Sequence, residues 1–268
     1  MHQKTVQTPI KQEAMQNGGS YRVLDVNLDQ MYYKNAMNKS GTELKKALHD
    51  IVSKQKSLTY DEIWEAVKKT DEDPHNSNNV ILFYSGQSDS KLNTDHGGND
   101  NSKWNREHVW AQSHGDFGTA KGIGTDLHHL RPENKRVNGD RGDKDFDNLP
   151  QNAKYQYTSV PIPDTYWDKQ QEIWDPRDEV KGDVARIMFY MDTRYEDSDS
   201  MDLELVNQLT DSHSPKFGNL STLMKWHELD PVDDFEKRRN EVIYSYQGNR
   251  NPFIDHPEWV SQIWRDAQ

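Results

Sequence analysis

The residues best suited to chemistry lie in one stretch of the chain. Trp104-Asn105-Arg106-Glu107-His108-Val109-Trp110 places an acid directly before a histidine, between aromatic residues. Asp126-Leu127-His128-His129-Leu130-Arg131-Pro132 follows, and then Glu133-Asn134-Lys135-Arg136-Val137-Asn138-Gly139-Asp140-Arg141-Gly142. A neutral histidine takes a proton from water near neutral pH. Glu107 and Asn138 offer oxygen donors suited to a hard cation such as Mg²⁺, which binds through few protein ligands and keeps its waters. Such an ion polarises a phosphoryl oxygen and steadies a leaving alkoxide. An arginine grips phosphate through paired hydrogen bonds. These parts suffice to hydrolyse a phosphodiester.

Elements must hold these parts together. The first two pieces alternate enough to be short strands, and the third, opening at Pro132, reads as a helix that Gly139 and Gly142 would end. Strand, loop, strand and helix form a frame that aims a histidine at an ion held by the helix. Side chains alternate along a strand, so Glu107 and His108 serve one ion only where the strand ends or bulges. For the same reason His128 and His129 make a poor zinc chelate. His128 or Asp126 is expected instead to support the site from behind its ligands. Asp140 and Arg141 read as an ion pair. Arg186, within an apolar helix, must be paired or face a cleft.

The rest of the chain supplies the frame. Its 268 residues carry 33 basic and 45 acidic side chains, a formal net charge of −12, which excludes a generally basic nucleic-acid binder. Only 32% of residues are apolar, but 8 Trp, 12 Tyr and 7 Phe bury much area each. The absence of cysteine excludes disulfides, thiolate nucleophiles and cysteine-based zinc sites. No apolar run approaches the roughly 18 residues of a membrane span, and no signal peptide is present.

Residues 1–20 read as a flexible arm and 21–268 as one domain. Capping boxes at Ser40/Glu43 and Thr59/Glu62 open two helices, Val80–Tyr84 reads as a buried strand, and residues 85–102 as a loop. Val184–Met191 reads as a central buried helix, Glu236–Tyr246 as another, and the chain closes with Trp259–Trp264. The expected class is α+β, mainly helical with a small strand content.

The three pieces, Asn-Arg-Glu-His-Val-Trp, Asp-Leu-His-His-Leu-Arg-Pro and Val-Asn-Gly-Asp-Arg-Gly, resemble the bacterial endonuclease I family of non-specific nucleases. The resemblance extends to Tyr32-Tyr33, to Asp71-Glu72-Asp73-Pro74 through Leu82, to Gly182–Arg186 with Tyr190-Met191, and to Arg250–Pro257. It covers roughly residues 30–265. The lack of cysteine is more like extracellular nucleases of Gram-positive bacilli than the disulfide-bonded periplasmic members.

The resemblance implies a ββα-metal (His-Me finger) motif at about 104–150. His108 would be the general base, Glu107 and Asn138 the metal ligands, and 5′-phosphate and 3′-hydroxyl ends the products. Some members carry a phosphate-contacting arginine in a cysteine-containing insertion between the two strands. Here residues 111–125 contain no arginine, and Lys121 is their only cation. Arg131, Arg141 and Arg186 are the candidates, with Arg131 preferred because it follows the second strand.

Between Asp126 and Asp147 five basic residues stand against six acids, so a basic face must be assembled in three dimensions, with Lys237, Arg238, Arg239 and Arg250 as contributors. The reading is an extracellular, monomeric, metal-dependent endonuclease on RNA, DNA or both, using Mg²⁺, with Mn²⁺ or Ca²⁺ as alternatives. Two other readings are a zinc phosphoesterase on small esters and a catalytically silent nucleic-acid-binding protein of the same fold.

Overall fold

A computed structural model describes residues 28–150, 156–168, 170–196 and 201–265. The expected arm at 1–20 lies outside these residues. Helices α1 (Gly41–Val52) and α2 (Glu62–Thr70) lead into a small antiparallel sheet of β1 (Glu72–Asp73), β2 (Asn76–Ile81) and β3 (Ser88–Ser90). Strands β4 (Trp104–His108) and β5 (Leu130–Asn134) pair antiparallel, and α3 (Lys135–Arg141) follows at once. A four-stranded sheet then runs in the order β6 (Asp145–Phe146), β9 (Ile173–Asp175), β8 (Tyr166–Asp168), β7 (Gln156–Tyr157). The C-terminal half is helical, with α4 (Lys181–Arg194), α5 (Leu220–Leu229), α6 (Asp234–Gln247) and two short closing helices, Pro252–Asp255 and Trp259–Ile263. The class is thus α+β.

Local chemistry explains most element boundaries. In α1 the buried positions Leu44, Ala47, Leu48, Ile51 and Val52 fall on one face, as a 3.6-residue period requires. The Ser40 side chain makes no capping bond there, so helix phase rather than a capping box sets that start. The second box does form. The Thr59 N–H donates to the Glu62 carboxylate at 2.7 Å, and the Glu62 N–H donates back to Thr59 Oγ1 at 3.2 Å. From Gly182 to Arg194 every residue of α4 is buried, which suits the expected central helix.

Several expectations shift. Val80 and Ile81 end β2, after which the chain turns, so Leu82, Phe83 and Tyr84 are buried outside any strand. The expected loop at 85–102 contains β3. Asp126 to His129 is a turn, because the Asp126 carboxylate takes the His128 N–H at 3.0 Å. Pro132 lies inside β5 rather than opening the helix; each strand of a two-stranded ladder is an edge, where a missing N–H is tolerated. Asn134 caps α3 instead, accepting from the Arg136 N–H at 2.9 Å.

Two apolar clusters form the core. The larger surrounds α4 and takes in Val109 and Val137, and the smaller gathers α2 residues with Trp104 and Leu130. The β4–β5–α3 unit therefore contributes to both, which fixes it on two sides.

Asp126 ties the helices together. Its carboxylate accepts from Gln55, Tyr190, Tyr195 and Gln247 at 2.8 to 3.0 Å. Burial favours protonation of this carboxyl, but the adjacent His128 and His129 and the donated hydrogen bonds prevail and hold it at about 2, from an ordinary 3.8. Burial pushes His128 and His129 down to about 4 from 6.5.

All three groups bind protons more weakly when folded, so their stability contribution is present above the unfolded pKa and is lost as pH falls. Burial pushes Glu107 and Glu133 the opposite way, up to about 7 and 8 from 4.5, and they lose stability as pH rises through those values. Below the ordinary glutamate value of 4.5 these two carboxyls are mostly protonated in both states. The groups held low, Asp126 with Asp73, Asp95, Asp100 and the buried histidines, outnumber Asp145, Asp183, Asp192 and Asp230, which burial raises, so the former set the sign. The melting temperature should thus fall steadily from about pH 4.5 to 2, and Asp126→Asn should flatten that slope. A level melting temperature across this range in scanning calorimetry would contradict the assignment.

Candidate active site

The end of β4 and the body of α3 frame a polar cleft of about 380 Å³. Four consecutive residues of β4, from Asn105 to His108, line it together with Asn138. Beyond β5, among the described residues β4 makes a single bridge, from Trp104 to Thr94. Because consecutive residues of the strand line the cleft, side chains of both strand faces reach the same space. The strand also ends at His108, the condition under which Glu107 and His108 serve one site.

Each of these side chains is held. Glu107 is 2% exposed and accepts a 2.8 Å hydrogen bond from the Tyr84 hydroxyl, with Arg141 Nη1 at 3.7 Å from the same oxygen. Burial raises its carboxyl to about 7, against the pull of Arg141 and Tyr84. The His108 ring sets Nε2 3.0 Å from the Gly124 carbonyl. A carbonyl only accepts, so that nitrogen carries the proton and Nδ1 keeps the lone pair, 3.2 Å from the Gln112 side-chain amide. Gly124 is packed so closely that a Cβ there would lie 2.5 Å from the Gly118 carbonyl oxygen, which fixes the carbonyl that orients the ring. Burial, with His129 edge-on at 5.2 Å, pushes His108 down to about 3, so the imidazole is neutral. Asn138 Nδ2 donates to Asn105 Oδ1 at 2.8 Å, which orients the amide and leaves its oxygen as the free acceptor.

The other expected residues sit elsewhere. Arg131 is buried between Asp71 at 2.6 Å and Asp183 at 3.3 Å, in the core rather than among the cleft-lining residues. Arg186 forms a two-point pair with Glu236, both contacts at 2.7 Å. Arg141 does not pair with Asp140, which accepts from Ser159 instead. Adjacent helix residues point about 100° apart, which separates the two. Arg141 instead donates to the Val109 carbonyl at 2.7 Å and the His108 carbonyl at 3.4 Å, so it braces the strand end from beneath. His128 packs on Tyr190 at 4.2 Å, and it is His129 that touches His108.

The proposed basic face is not assembled either. Arg239 and Arg250 are buried against Asp71 and Asp255, Lys237 pairs with Asp234, and Arg238 donates to the Glu72 carbonyl. Tyr84, Gln112 and Gly124 escaped the sequence reading. No pattern marks them: Tyr84 and Gly124 act on residues 23 and 16 positions away, and Gln112, though only four from His108, lies past the end of β4.

The donor set on the cleft is oxygen-rich, with a buried carboxylate and an oriented amide, and this suits a hard cation that keeps most of its waters. Among the described residues no group of three or more His, Asp or Glu side chains converges as a metal cage.

Comparisons with known proteins identify the family. A family model described as Endonuclease I matches residues 40–258. The chain belongs to the endonuclease I family. It is 54% identical over 235 residues to an extracellular ribonuclease of Bacillus amyloliquefaciens, covering 87% of this chain and 78% of the relative. An extracellular ribonuclease of Bacillus subtilis (strain 168) is also 54% identical, over 236 residues and the same shares. A periplasmic deoxyribonuclease of Aeromonas hydrophila is 31% identical over 131 residues, 48% of this chain and 47% of that protein. In this endonuclease I member no described helix is long and apolar enough to cross a membrane.

Proposed function

We propose that this endonuclease I member acts outside the cell as an endonuclease on RNA and DNA, with little sequence preference and 5′-phosphate products. His108 is its general base, and Glu107 and Asn138 hold one Mg²⁺-class ion. The observation that carries this reading is the meeting of those three side chains on one polar cleft, at the end of β4 and on α3. The β4–β5–α3 order supports the reading of a ββα-metal motif. Two relatives are named extracellular ribonucleases and one a periplasmic deoxyribonuclease, which supports both polymers as substrates and an extracellular site of action.

The ion, when bound, supplies Lewis-acid stabilisation of the phosphoryl and leaving oxygens. The protein's own residues do the rest. The Gly124 carbonyl keeps the His108 proton on Nε2, so the Nδ1 lone pair faces Gln112. Movement of that amide by substrate or water frees the lone pair to accept a proton from water. An incoming phosphate raises the histidine's proton affinity as the move occurs. Arg141, beneath the strand end, keeps the base and Glu107 in register. Contacts made to phosphates carry no sequence information, hence the low specificity.

The test is cleavage of circular plasmid DNA and of a long RNA, side by side, in Mg²⁺, Mn²⁺, Ca²⁺ or chelator. Both polymers should be cut only with a divalent ion. Glu107→Gln and Asn138→Ala should lower the rate by at least about 10-fold and raise the ion concentration needed for half-maximal rate, as loss of a ligand or its support does. Cleavage in chelator, or full activity of both variants, would remove the metal assignment. Activity on small phosphate esters without polymer cleavage would favour the phosphoesterase, and binding without cleavage the silent protein.

A further inference from the structure

The cleft still needs a cation for the phosphate, and the expected Arg131 is bound up in the core. We propose that Arg106 grips a backbone phosphate of the nucleic-acid strand beside the general base; the inference rests on the nuclease reading above. Arg106 is the one lysine or arginine among the residues that line the cleft. It lies two positions before His108 on β4, hence on the same strand face. Tyr60 joins the two. The Arg106 guanidinium sits 3.4 Å from the centre of the Tyr60 ring, and that ring stacks nearly parallel to the His108 imidazole at 6.1 Å. A group held by Arg106 is therefore held next to His108.

Charge bookkeeping fits the same residue once the arginines buried in ion pairs are set aside. Arg131, Arg141, Arg186, Arg239 and Arg250 each have a carboxylate oxygen within ion-pair distance. Arg106 forms no such pair among the described residues. Its Nη1 donates to the Tyr60 carbonyl, and its Nε is shut off from solvent without any hydrogen-bond partner. Nη2 donates to no acceptor among the described residues, and this nitrogen remains to meet an arriving phosphate. Tyr60 on one contact and Trp64 at 3.9 Å hold the guanidinium plane, so little side-chain entropy remains to be lost when an anion arrives. In a chain of net charge −12, a polyanion is attracted only where a positive charge stands unneutralised. The ligand is thus an unesterified edge of a phosphodiester, recognised through its charge and not through its base.

The experiment measures binding and turnover separately. A fluorescein-labelled RNA 12-mer and its DNA counterpart are titrated with His108→Ala protein, with and without Arg106→Met, at a series of salt concentrations. Arg106→Met and Arg106→Lys are also made in the active protein for steady-state cleavage. Arg106→Met should weaken binding at least about 10-fold and make the slope of log affinity against log salt shallower by about one. In the active protein KM should rise more than kcat falls, and Arg106→Lys should recover part of the affinity because it keeps the charge.

Unchanged affinity and slope in Arg106→Met overturn the inference even if the wild-type protein cleaves, which would leave the nuclease reading intact. A lower melting temperature with unchanged affinity overturns it too, assigning Arg106 to the packing of α2. A wild-type protein that binds but does not cut would sink the nuclease reading while the salt slope still judges Arg106. If the parent binds neither oligonucleotide, both fail.

Discussion

Replacement of His108 by alanine should lower cleavage of RNA and DNA together by a factor of about 10²–10⁴, the span that a positioned general base contributes. The loss should appear in kcat with KM little changed, since in the proposed mechanism His108 acts on water and not on the phosphate charge. The variant should stay folded. The ring makes one hydrogen bond to the Gly124 carbonyl and one with Gln112, and neither partner belongs to the helical core. Binding of the divalent ion, read by calorimetry, should survive because Glu107 and Asn138 remain. Full activity in His108→Ala would end the mechanism, whatever the metal dependence.

Arg131→Met should have the opposite signature. The guanidinium joins Asp71 and Asp183 in a buried group that also includes Arg239. Removing one partner of a buried pair costs about 3–5 kcal/mol because the remaining charge is left without compensation. In a domain of this size each kcal/mol moves the melting temperature by about 2–4 °C, so a drop on the order of 10 °C is expected from those two figures. Activity per folded molecule, measured in the cold, should change little. A variant that melts like wild type but binds substrate poorly would return Arg131 to the phosphate.

The contrast shows what the sequence could and could not disclose. That Glu107, His108 and Asn138 would share one cleft was legible because its signals are local: residue types, order, and a helix directly after a strand. Thr59 and Glu62 were legible for the same reason, three residues apart on one turn. Arg131 was not, because an arginine in an ion pair and an arginine at a phosphate are the same letter. What separates them is Asp71 and Asp183, which lie far away in the chain. Pro132 carried a helix-start signal that an edge strand also accommodates. Tyr84 read as core, and it is core, yet its hydroxyl holds Glu107; only the fold reveals that second task. Arg106 lies inside Asn-Arg-Glu-His-Val-Trp, but a lone arginine on a strand has no pattern that separates a phosphate contact from a surface charge.

The Asp126 carboxylate also bears on how the molecule comes apart. It joins Gln55 beyond α1, Tyr190 and Tyr195 at the end of α4, and Gln247 at the end of α6. Each segment that swings away takes at least one donor from the same buried charge. Partial opening of the helical half is therefore expected to carry a cost in every direction, which couples these helices. A protease acting on them should digest at a rate that tracks their shared stability and not the looseness of any single helix.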